Sequence, residues 1–324
     1  MQNGCKRLAA ALPKPKKPNT IKCGETAKRR GAAVMTFWLL LTVNSVTFGG
    51  LLFLLSAGFS LIFGLMRIPN LTHGSMFMLG AYFGTTLLSG ALGVRFSFWL
   101  AAIVCAIEVA ILGALMERLL LRRLAGQQLA QVLVTLGVSF MVADLSLMGW
   151  GGDPISVATP PGLNGFVRVG AAVFPLYRLA VIAIAVVFAL ALWLMLERTR
   201  LGAMIRAGVD DPQMARVVGI RVSQLFTIVF ALGAGLAGFA GLIGGPILSV
   251  YPGIDQDMLP LALVVVILGG TGSLLGSFVG SILIGFIYNF GQALLPELAY
   301  FILFLPMVLV LVLRPQGLFG GQVL

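Results

Sequence analysis

The chain has 324 residues, 59% of them hydrophobic and 10% charged, with a formal net charge of +11 and a mean hydropathy of +1.03. A soluble globular domain carries about 25% charged residues, so the composition excludes one and describes a chain that crosses a membrane many times. The charge is no nucleic-acid footprint: nine of the 22 Lys and Arg precede residue 31, and most others flank apolar segments, as membrane topology requires.

Residues 1–34 hold all six lysines, together with Pro13, Pro15 and Pro18. They lack the apolar run of a signal peptide and are expected to form a disordered, basic, cytosolic tail. Met35 opens the first apolar stretch, so the alternative is that translation starts there. Residues 35–324 are expected to form one transmembrane domain.

Apolar segments then run at about 36–66, 75–91, 97–116, 129–150, 175–196, 225–248, 258–270, 274–292 and 298–313. Arg118, Arg122 and Arg123 mark one cytoplasmic loop, and Arg198, Arg200, Arg206, Arg216 and Arg221 mark another. Alternation puts 151–174 and 249–257 outside, the latter with Asp255 and Asp257, and the C-terminus after Arg314 inside. The first third does not alternate, so one element there is broken or re-entrant. Candidates are the stretch holding Gly49 and Gly50 and the polar break RIPNLTHGS at 67–75. Non-helical backbone at membrane depth is tolerated only where it lines a cavity or is buried in protein. The predicted fold is an all-α polytopic bundle of eight or nine transmembrane or half-membrane helices, some discontinuous. Gly64–Gly84 is faintly echoed by Val266–Gly285, and paired broken helices point to a pathway at their interface.

Four groups of residues carry candidate chemistry. Asn70, Thr72, His73, Gly74 and Ser75 form a polar cluster between apolar segments, either the start of a half-helix facing a cavity or a capped turn at the membrane surface. The loop ERTRLGAMIRAGVDDPQMARVVGI carries Arg200, Gly202 and Arg206 and then a short helix. Asp211 is its N-cap, Pro212 its first residue and Gly219 its C′ position. Met214, Val217 and Val218 share a face beside Ala215. That face docks into another protein or lies on headgroups. Small residues recur at helical spacing at Gly233, Ala237 and Gly241, at Gly272, Gly276 and Gly280, and at Gly80 and Gly84, which permits close helix packing. Glu108 and Asp144 lie within apolar segments, and an intramembrane carboxylate is a functional candidate by default.

Other chemistries find no residues. One histidine and the scattered Cys5, Cys23 and Cys105 offer no metal site. There is no GxxxxGK[ST], no lysine after Lys28 and no GxSxG elbow. No cofactor and no enzymatic activity are expected, and energised transport would draw on a partner or an ion gradient.

Several strings, in order, resemble the LivH-type permeases for branched-chain amino acids in ATP-binding-cassette importers: FGLMRIPNLTHGSMFMLGAY, GVSFMVADLSLMGWGGDP, the arginine loop, VVILGGTGSLLGSFVGSILIG and RPQGLFG. The resemblance covers about residues 36–320. It implies a subunit of the bacterial inner membrane that pairs with a homologous permease subunit. Two cytosolic ATPases would bind below and a periplasmic solute-binding protein above. The helix at 211–219 would seat in an ATPase groove, and Asn70–Ser75 would belong to the translocation path. Similar permeases carry urea or short amides, which leaves the substrate open. The rival from another class is a proton-coupled secondary transporter using Glu108 or Asp144.

Overall fold

The structure, a computed structural model, describes residues 23–319 apart from 67, 68, 91, 92, 94, 170, 171 and 315. Among these residues the chain forms eleven α-helices: α1 (Cys23–Met66), α2 (His73–Ser89), α3 (Phe98–Leu119), α4 (Gln128–Trp150), α5 (Leu176–Arg198), α6 (Arg200–Asp210), α7 (Pro212–Val217), α8 (Val222–Leu248), α9 (Ile254–Gly269), α10 (Leu274–Leu294) and α11 (Ala299–Leu313). Six of them are long and apolar enough to cross a bilayer: α1 from Val34, α3, α4, α5, α8 and α10. With 17, 16 and 15 residues, α2, α9 and α11 are shorter. Nine helices therefore match the nine apolar segments. One feature departs from all-α: residues 151–175 include an antiparallel hairpin of β1 (Phe166–Val169) and β2 (Ala172–Pro175).

Two helices form the centre. α1 contacts α5, α8, α9 and α10, while α8 packs on α1, α2 and α3. Glycines set how close they come. A methyl group at Gly58 would lie 2.5 Å from the Gly233 carbonyl oxygen, and one at Gly80 would lie 2.2 Å from that of Gly238. At Gly241 it would lie 2.0 Å from the Phe77 oxygen, and at Gly276 it would lie 2.0 Å from that of Gly269. In lipid, where side chains gain little by leaving the solvent, such contact is a main source of helix association. Gly280 faces the Val265 oxygen, and Ala237 is fully buried. Gly272 is not on this helical stripe. It sits in the turn before α10 with φ +80°, touching Gly64. A four-residue spacing read as helical here crosses a helix start.

The path of α1 settles the imbalance in the first third. Met66 shares a recess with Arg122 and Arg216, so α1 ends at the arginine face. At its other end Trp38 stacks on Phe290 and Phe48 on Tyr288, late residues of α10. Since Gly64 meets Gly272 just before α10, the two helices are antiparallel and α1 begins at the face opposite the arginines. The helix α1 is traced from Cys23. Residues 1–22 of the expected tail lie outside the described residues.

Candidate solute path and coupling surface

The break between α1 and α2 is buried in protein, not at a surface. Asn70, Thr72, His73 and Ser75 are all essentially inaccessible. Asn70 Oδ1 accepts from the Thr72 amide (3.2 Å) and from Thr72 Oγ1 (2.7 Å), which closes the turn without water. His73 Nε2 lies 2.9 Å from the Leu55 carbonyl of α1, and its ring lies 5.2 Å from that of Phe59. Gly74 is required because α9 crosses here: a methyl group would lie 2.6 Å from the Asp255 carbonyl oxygen and 2.9 Å from Leu259 Cβ.

Ser75 joins three helices. Its hydroxyl lies 3.1 Å from Asp255 Oδ2 on α9 and 2.8 Å from Ser139 Oγ on α4. A carboxylate only accepts, so Ser75 donates to Asp255 and accepts from Ser139. Asp255 had been expected in an outward loop with Asp257. It instead starts α9, is 3% exposed, and leaves Oδ1 without a partner. Asp257 is exposed and accepts from Tyr251.

The contact between α2 and α4 is polar along its length. The Leu71 amide donates to Thr135 Oγ1 (3.3 Å), Ser75 meets Ser139, and Trp150 Nε1 donates to Thr86 Oγ1 (2.8 Å). All three pairs share a sequence offset of 64, so the two helices run parallel and in register. The residues that α4 buries are Gln131, Thr135 and Ser146, every one polar. At the arginine end, a cavity of about 10 Å³ between Asn70, Gln131 and Thr135 adjoins a recess of about 160 Å³ through Met66, Leu121 and Gln131. Asn70 Nδ2 and Gln131 Oε1, both unpartnered, line the smaller one. Glu117, buried at the recess, accepts from Thr227 (2.6 Å) and lies 4.0 Å from Arg122 Nε.

At the same face α5 turns sharply into α6. Thr199 caps α6 by accepting from the Gly202 amide (3.2 Å). Arg206 donates to the Leu196 carbonyl and lies 3.8 Å from Glu197. A methyl group at Gly202 would sit 2.0 Å from that same Leu196 oxygen, so only glycine lets α6 fold back here. Asp211 Oδ1 accepts from the amides of Gln213 (2.8 Å) and Met214 (3.0 Å), with Pro212 in the first turn of α7. Gly219, at φ +90°, ends it. Ala215 is buried beneath, whereas Met214, Val217 and Val218 are 59%, 81% and 68% exposed. Arg200 is exposed and points away from the bundle's core. The result is a short helix, tied at both ends, with an apolar outward face.

Glu108 is partly buried on α3 and Asp144 exposed on α4. Neither reaches the polar seam in the way Asp255 does.

A many-pass helical bundle with a buried polar break and an exposed rigid loop has the layout of a membrane permease. A profile of the family described as branched-chain amino acid transport system permease component matches residues 41–311, and the chain belongs to that family. It is similar to BraD of Pseudomonas aeruginosa, a high-affinity branched-chain amino acid transport system permease protein. That relative is 27% identical over 289 residues, 86% of this chain and 94% of its own. LivH of Escherichia coli K12, of the same description, is 26% identical over 299 residues, 88% and 96% of the two chains. The ribose import permease RbsC of Escherichia coli K12 is 30% identical over 174 residues, about half of each chain. No solved structure matches.

Proposed function

We propose that this chain is the membrane-spanning subunit of an ATP-binding-cassette importer of the bacterial inner membrane, moving branched-chain amino acids inward. A homologous second permease subunit, two cytosolic ATPases and a periplasmic solute-binding protein complete it. The observation that carries this reading is α7: a capped helix presenting Met214, Val217 and Val218 to solvent on the arginine-rich, cytosolic face. Burying such a face in a partner gains about 25 cal/mol per Å² of apolar area. ATP-driven closure of the ATPases would push on this plug. Gly202 and Arg206 hold α6 to α5, Arg200 stands exposed beside them for a partner, and glycine-packed helices would pass the push on as a rigid-body shift. Asn70, Thr72, His73, Gly74 and Ser75 would lie on the path opened by that shift.

The proton-coupled rival gains nothing from the geometry, since Glu108 and Asp144 lie away from the seam. The test is uptake of leucine into proteoliposomes. Uptake that needs both ATP and the ATPase subunits supports the importer. Uptake by this chain alone under a pH gradient contradicts it.

A further inference from the structure

We propose that Asp255 is the residue that reads the α-ammonium group of the solute, with Tyr82 and Ser146 further along the same buried seam. This assignment rests on the transport reading above.

The argument starts from three polar atoms left without partners. Asp255 Oδ1, Tyr82 Oη and Ser146 Oγ are buried and make no hydrogen bond. The parallel register sets two of them, Tyr82 and Ser146, opposite each other. An offset of 64 pairs Ser75 with Ser139 and Thr86 with Trp150, and the same offset sets Tyr82 opposite Ser146. Tyr82 stands seven residues beyond Ser75, two turns along the same face of α2. Its ring stacks on Trp150 with centroids 5.0 Å apart.

A buried carboxylate oxygen without a donor is costly, and more so at membrane depth. Among the described residues the ion pairs are Arg122–Glu117 and Arg206–Glu197, so no side-chain cation serves Asp255. The node holds the Asp255 carboxylate with no side-chain cation to balance its charge. An ammonium group brings donors and one positive charge, which match Asp255 Oδ1. The stacked faces of Tyr82 and Trp150 favour a cation further. A free carboxylate or phosphate would meet the Asp255 charge and be repelled. The node is closed here, and α4, which packs chiefly on α2 and on the turn before it, is the wall whose movement opens it.

The experiment uses the complete complex with its binding protein in proteoliposomes, and follows radiolabelled leucine. Asp255→Asn keeps the size and an acceptor for Ser75 but removes the charge. Uptake should fall about 10- to 100-fold, the scale of a hydrogen bond to a charged group, while Asp255→Glu should retain more uptake than Asn. Tyr82→Phe guards against misfolding: it deletes a hydroxyl that bonds to nothing, so a folded, assembled complex with severalfold slower uptake points to a bound guest. Uptake within twofold of the unmodified complex in Asp255→Asn, or in Tyr82→Phe, would overturn the assignment alone. So would leucine uptake by the unmodified complex that required sodium or collapsed with a proton ionophore, since the carboxylate would then serve an ion. An unmodified complex that moved no amino acid would overturn the transport reading itself.

Discussion

Ser75 and Ser139, 64 residues apart, share a 2.8 Å hydrogen bond that fixes α2 and α4 as parallel neighbours in register. The intervening α3 runs the other way, so the contact requires a helix–loop–helix excursion between them. Replacing both serines with cysteine, in a background lacking Cys5, Cys23 and Cys105, should give a disulfide on mild oxidation, because hydroxyl oxygens this close place sulfurs within bonding reach. Cleavage at a protease site engineered at 125–127 should then leave the halves joined until reductant is added. A Ser75→Cys and Phe140→Cys pair should not crosslink, since Phe140 faces outward.

Glycine packing makes a paired prediction. Gly241→Ala sets a methyl group against the backbone of Phe77 and Ala81, at 2.0 and 2.8 Å. Neither atom can turn aside as a side chain would, and the loss should reach about 1–3 kcal/mol or more. Gly137, on the outer face of α4, has no atom within 4 Å of such a group. There Gly137→Ala should be neutral or gain up to about 1 kcal/mol in helix propensity. Thermal unfolding in detergent, with Gly241→Ala melting lower and Gly137→Ala at or above the unmodified protein, is the check.

The His73 ring fills space between α1 and α2 and meets the Leu55 carbonyl. His73→Ala removes that contact and leaves a cavity, at a cost of about 1–3 kcal/mol. Membrane levels should survive, while leucine uptake should drop severalfold as the break loses its fixed geometry. Wild-type uptake in a well-expressed His73→Ala complex would return the cluster to a structural turn.

The cap of α7 can be tested without touching its docking face. Asp211→Ala removes both amide acceptors and should destabilise the helix by about 1 kcal/mol, whereas Asp211→Asn should preserve it. Stimulated ATP hydrolysis is expected to fall in the first and hold in the second.

The parts of this molecule that were legible in the sequence are those written locally. Nine apolar segments, the polar break at 67–75 and the capped helix at 211–219 each stand out from their own neighbours. Asp255 was not legible: its partner Ser75 is 180 positions away, and beside Asp257 and Pro252 it reads as a solvated loop. The seam does carry a local signal. Gln131, Thr135 and Ser139 recur every fourth residue in a mostly apolar helix, with Ser146 seven further on, the mark of a polar stripe turned inward. Gly272 shows the opposite failure, since its spacing fits a helix but its positive φ places it in a turn. Glu117 was passed over at the end of an arginine-bearing segment, where a charge looks solvated, yet it is buried against Thr227.

The claim that matters most is that the apolar face of α7 couples this subunit to an ATPase. Val217, 81% exposed, is its outermost residue. Val217→Asp places a charge in the proposed groove without disturbing the bundle, because the side chain touches little of its own chain. The measurement is ATP hydrolysis by the assembled complex with and without leucine-loaded binding protein. The account predicts that stimulation is lost, and that the ATPases no longer co-purify with the Val217→Asp subunit at normal yield. Stimulated hydrolysis and co-purification equal to those of the unmodified complex would contradict it and leave α7 as a helix resting on lipid headgroups.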